Sequence, residues 1–368
     1  MRTLQQYLDD CIRSADQLQT YFDLTDQETQ QLSRLSEQYP ICITPYYLSL
    51  VDPADKNDPI RKMCFPSLFE YSSDGETDTS GESDNTVIKG MQHKYAQTAL
   101  ILSTNQCAMY CRHCFRKRMV GSSADEIARE LPAMAEYVRK HTEINNVLIS
   151  GGDAFINSND TIKKYLEQFT AIPSLDFIRF GTRVPVVLPQ RIIEDTELLG
   201  LLTEYGKKKQ IIIVTQFNHP REITTASREA INALKGCGCI IRNQTVLLKG
   251  VNNDPSTLAE LMNLLVKVGV IPYYIFQCRP VVGVKNQFQV PITEGHRIVE
   301  QAKQLMSGQA KSVRYAMSHP TGKIEIIGPD NSGAMIFKYH QAKYEKDHSR
   351  IFTKKLAPTD CWLPRAIE

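Results

Sequence analysis

Three cysteines stand within eight residues, Cys107, Cys111 and Cys114, in the run CAMYCRHCFRKR. In a chain of 368 residues with ten cysteines this spacing would arise by chance roughly 0.007 times, so coincidence is a poor account of it. Thiolates so spaced can wrap one compact inorganic centre. Arg112, Arg116, Lys117 and Arg118 beside them should favour the thiolate form and offset an anionic cluster. The competing reading is a zinc site with His113 as fourth ligand, but zinc prefers two ligand pairs separated by a longer loop, and no second pair lies nearby. An electron-transfer [4Fe–4S] centre would need a fourth cysteine, and Cys237, Cys239 and Cys278 each fall in or beside a later strand. Three ligands on a four-iron cube leave one iron open to an outside ligand.

The loop follows a short apolar run, ALILST, and similar runs begin near Val147, Phe177, Ile211, Ile240 and Pro272. After the first gap they recur about every 30 residues, the length of a βαβ unit. The segments between them, such as ADEIARELPAMAEYVRKH and DPSTLAELMNLLVKVG, carry helical periodicity. Six such units predict an α/β fold, a partial parallel (β/α)6 TIM-like barrel with its functional groups at the C-terminal strand ends. A doubly wound sheet is the alternative, but no GxGxxG follows any of these strands. Residues 1–90 read as a mostly helical N-terminal extension. Its Ser72 to Asn85 stretch is acidic and without an apolar residue, which predicts an exposed loop. Residues 91–308 form the core. Residues 309–368 contain a hairpin turning at GPDNSG and should cover one end of the barrel.

Composition narrows the function classes. Lys+Arg number 43 against 41 Asp+Glu, a net charge of +2, which argues against nonspecific nucleic-acid binding. There is no apolar run of about 18 residues to span a membrane, and Asp9 and Asp10 stand where a signal peptide would be apolar. A cytoplasmic protein with free thiols is expected, with Cys11, Cys42 and Cys64 buried.

In chain order, HKYAQTALILSTNQC, CRHCFRKR, LISGGDAF, GTRVPVVLPQRI, TQFNHPREIT, NQTVLLKGVNND and PYYIFQC resemble the lysine 2,3-aminomutase family of the radical S-adenosylmethionine (SAM) superfamily. The likeness extends from DPIRKM to HPTGK. It implies an isomerase with three cofactors: a [4Fe–4S] cluster on Cys107, Cys111 and Cys114, SAM chelated by the open iron, and pyridoxal 5′-phosphate (PLP). Gly151, Gly152 and Asp153 match the family's SAM-amino-group motif. Lys323 matches the Schiff-base lysine, although Pro320 and Thr321 replace glycines before it. Lys94, Tyr95 and Arg183 match the phosphate-binding positions, and Arg116 the position that holds the substrate α-carboxylate. The implied reaction is radical abstraction of a β-hydrogen followed by amino migration from Cα to Cβ, giving a β-amino acid. The partners implied are a small amino acid and a flavodoxin- or ferredoxin-type reductant, with neither nucleic acid nor membrane; a homo-oligomer is left open.

Two departures bear on the substrate. Where lysine-specific relatives carry aspartates for the distal ammonium, this chain has Arg279 and Ala316, which predicts an acidic or amide amino acid such as glutamate. Lysine itself, or a dehydratase or epimerase outcome on the same cofactors, are the alternatives, and a noncatalytic iron–sulfur or zinc protein is the alternative of another class. Asn218, His219, Asn243 and Gln244 could line the cavity or simply satisfy core hydrogen bonds. Only Cys361 lies in the tail, so no C-terminal zinc site is expected.

Overall fold

The computed structural model describes residues 2–367. Twelve strands form one sheet: β1 (Thr86–Ile88), β2 (Met91–Tyr95), β3 (Thr98–Thr104), β4 (Asn146–Gly151), β5 (Phe177–Gly181), β6 (Gln210–Thr215), β7 (Ile240–Leu247), β8 (Ile271–Gln277), β9 (Arg314–His319), β10 (Gly322–Pro329), β11 (Met335–Ala342) and β12 (Ile351–Lys354). Their spatial order is their chain order. Strands β3 to β9 run parallel, and antiparallel pairs flank them. Among the described residues the two edge strands do not pair with each other, so the barrel is open.

The parallel strands number seven, one more than the repeat predicts. Helix Ile292–Leu305 leads into β9, which joins β8 through Tyr274↔Arg314 and Phe276↔Ala316. The longer connection, which includes a short helix at Lys285–Phe288, hides this last unit from a 30-residue rhythm. The C-terminal segment adds antiparallel strands to the edge of the sheet, with its hairpin turn at Asp330–Gly333 as expected. The final residues then return across the strand ends, where Gln277 Nε2 donates to Cys361 O (2.9 Å) and His319 Nε2 lies 3.1 Å from Pro364 O.

Strand alternation sorts the two faces. Ile178 and Phe180 of β5, Ile211 and Ile213 of β6 and Ile241 of β7 are buried against helices such as Thr196–Gly206 and Thr225–Gly236. Each fully buried Ile or Leu contributes about 1.5–3 kcal/mol. The opposite, inner face carries Leu148, Ser150, Arg179, Arg242, Gln244 and Tyr273, all only partly buried. Helix Pro255–Lys267 starts on an Asp254 cap as its sequence predicts, whereas the first crossover helix is only Leu131–Lys140, opened by Pro132.

The N-terminal extension is helical, with Leu4–Asp9, Ala15–Gln19 and Asp26–Gln38 each opened by a capping box on Thr3, Ser14 or Thr25. It is stitched to the Cys loop by Tyr110 N donating to Cys42 O and Arg112 N to Met63 O, both 2.9 Å. Cys11, Cys42 and Cys64 are buried.

The acidic stretch from Ser72 to Asn85 corrects its expectation. It is a strap across the molecule: Glu76 N donates to Pro280 O (2.8 Å), Arg365 Nη2 holds the Glu76 carboxylate (2.7 Å), and Thr79, Glu82 and Asn85 are buried. A segment without apolar side chains can still be buried when its charges find partners, as Glu82 does with Arg116 and Arg118, although Thr79 Oγ1 and Asn85 Oδ1 are sealed without one.

Candidate active site

The Cys loop leaves the C-terminal end of β3. Among the described residues, the trio of His, Cys, Asp or Glu ligand atoms gathered within 4.8 Å of one another is His93, His141 and Glu143, so the three thiols of Cys107, Cys111 and Cys114 are not all within that distance of one another. One zinc ion would need its sulfurs about 3.8 Å apart, given Zn–S bonds of about 2.3 Å. His113 turns Nε2 toward Asn218 Nδ2 (3.2 Å). The spread donor set fits a larger inorganic core better than a single ion.

The loop cations favour the thiolates as the sequence suggests, but burial outweighs them because carboxylates already engage them. Arg112 and Lys117 share Glu70, with Arg112 Nε 2.9 Å from its carboxylate; Arg116 Nε and Arg118 Nη2 share Glu82 at 2.8 and 2.7 Å; and Arg118 also reaches Glu126 (2.7 Å). Burial tends to raise the Glu70 and Glu82 carboxyls, but these cations outweigh it and hold both below the usual range. With the cations already balanced, burial dominates at the thiols, pushing Cys114 up to about 11 and Cys107 well above its ordinary value. The guanidinium that does reach a thiol is Arg183, whose Nη1 lies 2.9 Å from Cys111 Sγ.

Gly151 and Gly152 end β4 in close contact with the loop. Gly151 adopts φ +112°, and a Cβ there would meet Thr104 O at 2.3 Å; at Gly152 it would meet Gln106 O at 2.2 Å. Only glycine permits this approach. The buried Asp153 carboxylate accepts from Phe155 N (3.0 Å) and Arg183 N (2.6 Å), which orients the turn.

Lys323 opens β10 on the inner face. Its ammonium lies over Tyr274 (5.1 Å) and Tyr95 (5.8 Å), and burial, with Arg179 and Arg279 adding repulsion, lowers it to about 7. Lys94 Nζ donates to His319 O (2.6 Å) and Ser80 O (3.4 Å) and is likewise lowered to about 7, chiefly by burial. The sealed Tyr95 hydroxyl has no partner. Arg183 is not brought to this group. Its Nε donates to Gln216 O (3.0 Å), and Nη2 pairs with Glu222 and Tyr47, so no face of it is left for a phosphate beside Lys323.

Relatives carry the same pattern over most of the chain. The L-lysine 2,3-aminomutase of Clostridium subterminale is 38% identical over 81% of this chain and 71% of its own length. The glutamate 2,3-aminomutase of Clostridioides difficile (strain 630) is 37% identical over 84% of this chain and 72% of its own. The chain belongs to the lysine 2,3-aminomutase family. It is an isomerase of the radical SAM aminomutase type, and the family implies a [4Fe–4S] cluster, SAM and PLP as cofactors. No family model matches the chain. A solved radical SAM methyltransferase from Sphaerobacter thermophilus aligns at TM-score 0.39 and 15% identity, over 61% of this chain and 68% of that one, too loosely to argue from. No helix among the described residues is long and apolar enough to cross a membrane.

Near the Cys loop two arginines gather around one aromatic ring. The guanidinium carbons of Arg116 and Arg279 lie 4.5 and 4.3 Å from the centre of the Phe115 ring. Arg279 Nη1 also hydrogen-bonds Ser80 Oγ, and burial lowers its pKa to about 10. Arg116 Nη1 donates to Gly151 O (3.3 Å) and Ser150 Oγ (3.4 Å), leaving Nη2 without a partner among the described residues. Ala316 is fully buried. Asn218 and Asn243 satisfy backbone groups of their own loops, as Val246 N to Asn218 Oδ1 (2.9 Å) and Phe217 N to Asn243 Oδ1 (2.7 Å) show. His219 Nδ1 accepts from Arg221 N (3.2 Å).

Sequence reasoning missed Glu70, Glu82 and Glu222, the carboxylates that make this end of the molecule possible. A signal was present: four cations within seven residues of one loop demand counter-charges from elsewhere. It also missed Arg179 and Arg242, which sit unobtrusively inside strands.

Proposed function

We propose that the protein is a PLP-dependent 2,3-aminomutase acting on an acidic amino acid, with glutamate as the leading substrate. Cys107, Cys111 and Cys114 hold the cluster, and Gly151, Gly152 and Asp153 form the SAM-facing turn. When bound, the cluster and SAM supply a carbon-centred radical and PLP carries the migrating nitrogen. The residues fit these groups: the three thiols are spread, the Tyr95 hydroxyl lacks a partner, and Lys323, lowered to about 7, has a large share of neutral amine able to attack a carbonyl near neutral pH. Lys94 and Tyr95 flank Lys323; Arg183 has no part in the phosphate site because Glu222 and Cys111 hold it. Arg116 presents Nη2 to the α-carboxylate while Glu82 fixes its Nε side. A flavodoxin- or ferredoxin-type reductant and a cytoplasmic setting, where thiols stay reduced, belong to the same reading.

The observation that carries the substrate class is the pairing of Arg279 with Arg116 over Phe115, with Ala316 opposite in sequence role and the nearby Glu82 already engaged by Arg116 and Arg118. Glu82, the carboxylate beside these arginines, is therefore not free to take a distal ammonium. The test is an anaerobic incubation of each of the common amino acids with reductant, SAM and PLP, read by mass spectrometry and proton NMR. Conversion of glutamate to its β-amino isomer is expected. Preferential turnover of lysine would sink the Arg279 reading, and stoichiometric zinc without iron in the purified protein would sink the radical chemistry altogether.

A further inference from the structure

Two cations on the inner face are left unexplained by the site so far. Arg179 is the third residue of β5 and Arg242 the third of β7, both on the partly open face. Register places Arg179 beside Ile212 and Arg242 beside Val214, two residues apart on the intervening strand β6. The Nε atoms of both are sealed from solvent, yet neither has a hydrogen-bond partner. Among the described residues no carboxylate pairs with either guanidinium; Arg242 instead lies over the Tyr273 ring (4.9 Å). Burial lowers Arg179 to about 10, and Arg242 is close enough to add repulsion. Guanidinium nitrogens sealed from water without a partner are costly, and the buried arginines of the site, Arg112, Arg116 and Arg183, each have a carboxylate partner, as Arg279 has a hydroxyl.

We infer that Arg179 and Arg242 form an anion seat on the inner face that receives the phosphate of the cofactor, an inference that rests on Lys323 carrying PLP. The carboxylate-binding groups, Arg116 and Arg279, gather at the Cys loop, where the C-terminal strand ends meet the cluster. Arg179 and Arg242 lie deeper, within their strands, on the side suited to the part of the cofactor that takes no part in the reaction. Tyr273 and Tyr274, whose hydroxyls are 3.4 Å apart, connect the two places: Lys323 rests over Tyr274 and Arg242 over Tyr273. A phosphate monoester carries close to two negative charges at neutral pH, which two guanidinium forks match. Lys94, with two carbonyls already bound to its ammonium, has less to offer it.

The test compares PLP with pyridoxal, which has the same aldehyde and no phosphate. Each is titrated into wild-type, Arg179→Met and Arg242→Met protein, trapped with borohydride and counted on Lys323 by peptide mass spectrometry. Half-saturation by PLP should rise about tenfold or more in each variant, while that of pyridoxal stays unchanged and so reports an intact fold. Inorganic phosphate should compete with PLP in the wild type and lose this effect in the variants. An unchanged preference for PLP over pyridoxal overturns the inference, and if glutamate binding falls instead, the seat belongs to the substrate carboxylate. If neither aldehyde labels Lys323 in the wild type, the cofactor reading itself fails and the inference with it.

Discussion

Around the Cys loop Arg112, Arg116, Lys117, Arg118 and Arg183 all reach carboxylates, whereas on the inner face Arg179, Arg242 and Lys323 reach none among the described residues. The two regions lie within one open barrel and bury the same kind of charge. The loop is built to be stable and rigid before any ligand arrives, since each of these five cations is paired with Glu70, Glu82, Glu126 or Glu222. The inner face is held in an unsatisfied state, where burial and the neighbouring arginines lower Lys323 to about 7 and guanidinium groups wait for an anion. A site that must position a reactive centre needs the first arrangement, and one that must capture a charged cofactor needs the second.

If this contrast is right, removing charge should have opposite effects in the two places. The largest effect is expected for Glu70→Ala, which strands Arg112 and Lys117 in a buried setting: a loss of ~3–5 kcal/mol in chemical denaturation and failure to retain iron. The carboxyls of Glu70 and Glu82 are held below their ordinary value of 4.5, so their contribution is present above that pH and is lost as pH falls through the lower, folded-state value; acid unfolding followed by circular dichroism should be shallower in this variant. Next, Arg279→Asp should reduce turnover of glutamate about 10- to 100-fold, and unchanged glutamate kinetics would remove Arg279 from the substrate pocket. The third effect is on pH. Because Lys323 is lowered from 10.5 to about 7, its amine becomes neutral as pH rises through 7, so borohydride-trapped labelling by PLP should increase up to about pH 7 and then level off. A labelling rate that kept climbing toward pH 10 would show an ordinary lysine. The smallest effect is for Arg242→Met without cofactor, where relief of an unpaired charge should raise Tm by the equivalent of about 1 kcal/mol. A loss there as large as that of Glu70→Ala would erase the distinction between the two regions.

Much of the fold was readable because hydrophobic runs at βαβ spacing report strands directly, and the family blocks fixed their order. The seventh parallel strand escaped because its connection is longer than the repeat. The Cys loop was readable from spacing alone, since nothing structural requires three thiols so close together. What could not be read was electrostatic. Glu82 lies in a stretch whose composition resembles solvent-exposed chain, and only the fold shows it buried under Arg116. Arg183 follows β5 in a family block, which marks its position but not its partner; Glu222, 39 residues later, decides that it faces Cys111. Arg179 interrupts an otherwise apolar strand and Arg242 opens a polar run within β7, and neither pattern says which face is left open.

The strap that buries Glu82 is fastened by Arg365, 289 residues away and almost at the end of the chain. On a ribosome the Cys loop and all the parallel strands emerge before that fastening can form. Burial of the strap therefore waits on contacts that close very long loops of chain, the kind that form late in folding.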